Sequence, residues 1–184
     1  MSHFEFVVIS FALIYSHSAV RLYSALPHLN QKDSRYLPMI FYITFILFAT
    51  AITFWSLWSY RDFQWDFLAY IRHLATPACL FYLAVTLVPD NPAKIESWEK
   101  HFFKIRTRFF GGLIVFALIL SINVTLTAEM PLYHPMRVVH LCVALLGVAG
   151  LTASSQGAHK KIMWFAIFSL LTAIVVNMAP SSLN

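Results

Sequence analysis

PDNPAKIESWEKHFFKIRTR, residues 89–108, lies between two long apolar runs and divides the chain into halves of three hydrophobic segments each. It carries five bases, Lys94, Lys100, Lys104, Arg106 and Arg108, close to flanking segments of membrane-spanning length. Lys and Arg concentrated beside membrane spans stay in the cytoplasm. The stretch therefore predicts a cytoplasmic connector, from which every other loop takes its side.

The composition agrees with a bilayer setting. Of 184 residues, 59% are hydrophobic and 11% charged, with a mean hydropathy of +0.69; soluble domains carry roughly 25% charged residues. A net charge of +5 invites comparison with nucleic-acid binders, yet the bases sit in membrane-flanking loops and form no patch with interleaved aromatics. No nucleic acid is expected. Cys79 and Cys142 both fall inside apolar runs, which argues against a disulfide or a zinc site. The N-terminal MSHFEFVV lacks the basic start and small-residue cleavage site of a removable signal, so it reads as part of a retained first span.

Six apolar segments follow, approximately Phe4–Leu26, Tyr36–Tyr60, Phe67–Val88, Phe109–Met130, Met136–Ala153 and Ile162–Ala179. Each approaches the ~20 residues a helix needs to cross ~30 Å of hydrocarbon. Uninterrupted apolar runs exclude a barrel. The expected fold is all-α, a single six-helix membrane bundle in a 3+3 arrangement. Residues 92–106 are expected to form an amphipathic interfacial helix, started by Asn91-Pro92 and striped by Ile95, Trp98, Phe102, Ile105 and Phe109. With the connector inside, ten of the 13 Lys and Arg are cytoplasmic, leaving Arg61, Arg72 and Arg137 outside. Both termini then lie outside, in a bacterial inner membrane or another plasma-type membrane. Trp55, Trp58, Tyr60 and Trp65 fit an aromatic belt at the outer end of spans two and three.

Ionisable groups within spans mark the places where chemistry would occur. On span one, Ser10, His17, Arg21, Ser24 and His28 share one helical face and are expected to point inward or at water. Span three carries Arg72 and His73 about two turns below the outer surface, followed by Thr76 and Pro77, whose missing donor frees the carbonyl of His73. Around spans four and five, Glu129, His134, Arg137 and His140 form a third set. Counting depth along the helices puts His73 and His140 at similar levels. With Asp66, Arg72, Glu129 and Arg137 they compose one polar cavity open to the outer side, within which Arg72 with Asp66 and Arg137 with Glu129 are candidate ion pairs. Ser121, Asn123, Thr125, Thr127 and Asn177 suit ordinary interhelical hydrogen bonds. Gly147, Gly150 and Ala153 are small residues that suit close helix packing or self-association into a homo-oligomer.

Several mechanisms lack their residues. No lysine lies within a span for a retinal Schiff base, and the chain has no TVGYG filter, GxxxxGK[ST], HExxH or GxSxG motif. Nothing assigns a catalytic residue. The leading expectation is a small channel or transporter in which a path runs from the cavity of His73, His140, Arg137 and Glu129 toward His17 and Arg21. A non-catalytic assembly or regulatory subunit, meeting lipid or a protein through its connector, is the second. A b-type haem protein using His73 and His140 as iron ligands is the third, without the further matched His pair that a two-haem relay needs. A membrane-embedded enzyme acting on lipid is the fourth.

Overall fold

A computed structural model of the chain describes residues 2–29, 35–128, 130–131 and 133–178, with side chains described to residue 175 except at 173. Among them the fold is all-α, with no strand. The helices are α1 (His3–Tyr23), α2 (Leu26–Leu29), α3 (Leu37–Ser56), α4 (Phe67–Leu87), α5 (Trp98–Thr127), α6 (Pro135–Thr152) and α7 (Gln156–Met178). One 3-10 turn, Leu57–Tyr60, continues α3, and another covers Pro92–Lys94.

Short polar residues set the helix starts. Ser2 and Glu5 form a reciprocal capping box on α1, and the Asp66 carboxylate accepts from the Ala69 amide at 2.7 Å to open α4. Ser97 does the same for α5 through the Lys100 amide. Pro135 occupies the first turn of α6, where its missing donor costs nothing.

Five segments of the described chain are long and apolar enough to cross a membrane: His3–Leu29, Leu37–Tyr60, Phe67–Lys94, Trp98–Thr127 and Pro135–Thr152. Their outward faces are apolar too. Ile9, Leu13, Val20, Leu118, Leu141 and Phe168 are all exposed, as suits a hydrocarbon solvent rather than water. The chain is thus compatible with an integral, multi-pass membrane protein.

The neighbour relations close a ring. α1 packs on α4, α4 on α5, α5 on α6, α6 on α7, α7 on α3, and α3 back on α1. Small residues permit the tightest of these approaches. Gly112 of α5 faces Leu83 and Tyr82 of α4, while Gly147 and Gly150 of α6 face Ile114 and Phe110 of α5. Gly147 and Gly150, candidates for self-association in the sequence, are therefore occupied inside the chain.

The basic connector departs from its expected form. Residues 92–106 are not a separate interfacial helix started by Asn91. Pro92–Lys94 is an isolated 3-10 turn, Asn91 makes no side-chain cap, and the helix starts at Trp98 and runs unbroken to Thr127. No proline interrupts that run, and its apolar stripe finds protein instead of lipid. Trp98, Phe102 and Phe109 are fully buried, with Phe102 stacked on Tyr42 at 5.8 Å and Phe109 edge-on to the same ring at 5.2 Å. Glu96 makes no ion pair with Lys100; the ion pairs among the described residues are Arg21 with Asp90 and Arg61 with Asp62. The sixth helix also starts earlier than expected, at Gln156 rather than Ile162.

Candidate functional site

The ring encloses a cavity of about 550 Å³, lined by side chains from all six long helices. It lies toward the end that carries Leu57, Tyr60, Phe63, Ala128 and Met130, opposite the 89–108 connector. Most of its wall is apolar, including Phe45, Ile52, Phe116, Leu120 and Val143. Ligand sites commonly have ~300–1,000 Å³ of mainly apolar space with a few placed polar groups. Here the buried polar groups are His73 and Thr76 of α4, Asn123 of α5, His140 of α6 and Ser169 of α7.

His73 is held by its own helix. Its Nδ1 lies 2.9 Å from the carbonyl oxygen of Ala69, one turn earlier, so Nδ1 carries a proton and donates. Its ring is surrounded by Trp65, Tyr60 and Phe63, with centroids at 5.0, 5.4 and 6.5 Å. The Trp65 indole donates in turn to the Tyr60 carbonyl at 3.2 Å, which ties the 61–66 loop to the 3-10 turn. The His73 Nε2 is buried and has no partner. Pro77 lies inside α4, which continues past it to Leu87.

Across the cavity, His140 Nδ1 lies 3.4 Å from the Ser121 hydroxyl, a long contact. Asn123 donates its amide to Thr76 Oγ1 at 3.1 Å, joining α5 to α4, and its Oδ1 is left buried without a partner. The structure thus brings His73 and His140 to one wall system, with Asn123 between helices beside them.

The other expected site residues go elsewhere. Asp66 caps α4 and is not paired with Arg72. Arg72 instead donates to Thr127 Oγ1 at 2.7 Å. Arg137 donates to Thr125 Oγ1 at 2.9 Å and to the carbonyls of Met130 and Pro131 at 2.6 and 3.0 Å, which fastens these two residues to α6. Glu129 lies outside the described residues, so its pairing with Arg137 does too. Among the described residues, hydroxyls of α5 and the carbonyls of Met130 and Pro131 take the two guanidiniums.

His17 and Arg21 do not reach the cavity. The buried face of α1 carries Val7, Phe11, Tyr15, Ser18 and Leu22, and that leaves His17 exposed with Nδ1 bonded to its own Leu13 carbonyl at 2.7 Å. The polar stripe of span one thus faces away from the ring interior. At the far end, Arg21 donates to the Val88 carbonyl at 2.8 Å and to Asp90 at 2.6 Å. His101 bonds the neighbouring Leu87 carbonyl at 3.0 Å. Arg106 and His159 both bond the Ala153 carbonyl. Basic side chains at this end consequently satisfy the open carbonyls where α4 and α6 stop.

His159 was not singled out by the sequence. It is fully buried within a box of Phe102, Phe103 and Phe110, with centroids at 5.0, 5.5 and 5.6 Å. Burial pulls its pKa below the ordinary histidine value; the Ala153 bond opposes that shift and the Arg106 charge adds to it. Among the described residues no group of three or more His, Cys, Asp or Glu is placed to hold a metal ion.

No family model, curated protein or solved structure matches the chain.

Proposed function

We propose that the protein is a six-span integral membrane transporter of a bacterial inner or other plasma-type membrane, with the 89–108 connector in the cytoplasm and both termini outside. In this reading, the cavity between the helices binds a small, largely apolar molecule that enters from the outer side. One observation carries it: a cavity of about 550 Å³ at the loop end of the ring, mainly apolar, where buried His73, Asn123 and His140 supply the polar contacts. A continuous ion path has less support. His17 is turned outward, and Arg21, His101, Arg106 and His159 are bound to helix-end carbonyls at the connector end.

The test uses proteoliposomes holding the wild type or Val139→Trp, whose indole would intrude on the cavity beside His140. Saturable binding and uptake of a fluorescent pyrene derivative is expected only with the wild type. Equal signals from both proteins and from empty liposomes would remove the proposal.

A haem-binding reading is favoured by one feature, the Nδ1 anchor of His73. Histidines that ligate metals orient themselves by donating their other ring nitrogen to a carbonyl or carboxylate. Haem at this site would be held by His73 and His140. A purified sample lacking a Soret band near ~410 nm, the usual region for haem, would end it.

A further inference from the structure

Resting on the cavity reading above, we infer that the occupant is a neutral apolar molecule bearing a hydroxyl group, an alcohol or phenol, whose O–H is accepted by His73 Nε2.

The polarity of this contact follows from the ring's anchor. A backbone carbonyl only accepts, so the 2.9 Å contact with Ala69 requires the proton on Nδ1. In the neutral ring, Nε2 then carries the lone pair. His73 is 5% exposed and lines the cavity, and its buried Nε2 has no partner. Asn123, 4% exposed, adds a second unpartnered acceptor in Oδ1, since its amide nitrogen is engaged by Thr76. Buried acceptors left without donors are costly, and a pure hydrocarbon filling the cavity would leave both so.

Charge narrows the class further. Arg72, next to His73 in the chain, is bound to Thr127 on the cavity wall, and Arg137 lies one turn from His140 on α6. Two guanidiniums at this end disfavour an ammonium donor, which carries the same sign. The aromatic rings around His73 and the apolar wall suit a flat or hydrocarbon body. A hydroxyl on such a body supplies the donor that His73 Nε2 lacks, adds no positive charge and leaves the rest of the molecule to the apolar wall.

Hydroxypyrene and methoxypyrene share a body and differ in the donor. In proteoliposomes the wild type is expected to bind hydroxypyrene about tenfold more tightly, the ratio one hydrogen bond supplies. His73→Asn retains an amide near the Nδ1 position and deletes the acceptor at Nε2; it should bind both probes alike, so that the ratio of the two affinities falls to about one. His73→Gln places an amide oxygen near Nε2 and should restore the preference. Independently of any variant, the His73 Nε2 resonance in ¹⁵N-histidine-labelled wild type should move with hydroxypyrene and stay in place with methoxypyrene. Equal affinities in the wild type, or a preference that persists in His73→Asn, would overturn the inference while leaving the cavity reading standing. Absence of saturable binding by either probe would overturn the cavity reading itself, and a Soret band in the purified protein would give Nε2 to iron.

Discussion

Gly150 of α6 lies directly against the Phe110 ring of α5, so that a Cβ added at residue 150 would collide with ring carbons Cγ, Cδ1 and Cε1. Phe110 cannot retreat, because it is fully buried and also packs edge-on to Tyr42 at 5.3 Å and stacks on His159 at 5.6 Å. Gly150→Ala is therefore expected to cost about 1–3 kcal/mol through overpacking. Gly111, where an added Cβ meets nothing within 4 Å, is the control, and Gly111→Ala should be neutral or slightly stabilising. Thermal unfolding in detergent reads both, and equal midpoints for the two variants would contradict the packing described.

Arg21 joins α1 to the end of α4 through the Val88 carbonyl, whereas its other partner, Asp90, is fully solvent-exposed. The carbonyl contact should dominate, since an exposed carboxylate contributes little. Arg21→Met is expected to destabilise by about 1.5–3 kcal/mol, the range for a hydrogen bond to a charged group. Asp90→Asn should leave the unfolding midpoint almost unchanged. Comparable losses in both variants would mean that the ion pair, not the helix end, holds α1.

The buried His159 makes stability depend on pH. Its folded pKa lies below its unfolded value of ~6.5, so between those two values the unfolded chain binds more protons than the folded one. The contribution of neutral His159 is complete above pH ~6.5 and is lost as pH falls through that value toward the folded pKa. Chemical denaturation in detergent across this window should show less loss on acidification for His159→Phe than for the wild type. Identical pH profiles would remove His159 as the titrating group.

Much of the architecture was legible because hydropathy and helical periodicity are local properties. Apolar runs placed α1, α3, α4 and α6 within a few residues, and His73 and His140, grouped by counting along their helices, line one cavity. What periodicity leaves open is the identity of the surface an apolar stripe meets. Phe102 and Phe109 suited lipid headgroups as well as they suit Tyr42. Ion pairing was also illegible. Asp66 lies close in sequence to Arg72, but the unpaired amide of Ala69 is closer, and a helix start takes the carboxylate first. His159 escaped notice because a histidine beside two lysines reads as loop, and only the approach of α7 to the phenylalanines of α5 encloses it.

Orientation and span number are tested together by cysteine labelling in a background lacking Cys79 and Cys142. An impermeant maleimide should reach Ser2→Cys and Arg61→Cys in intact cells, and Lys100→Cys and Lys160→Cys only after permeabilisation. A C-terminal tag should be accessible on the same side as Ser2→Cys if α7 crosses. The opposite pattern at residues 61 and 100 would invert the protein, and a tag found beside residue 160 would reduce the spans to five.

Helix α5 has 30 residues without a break, roughly 45 Å of rod at 1.5 Å per residue, which exceeds the ~30 Å of a hydrocarbon layer. Its basic start would project from such a layer, while Phe116, Leu120 and Asn123 further along form part of the cavity wall. The two regions belong to a single lever. A partner that grasps the lysines and arginines near Trp98 would therefore touch the same helix that walls the chamber at the opposite end.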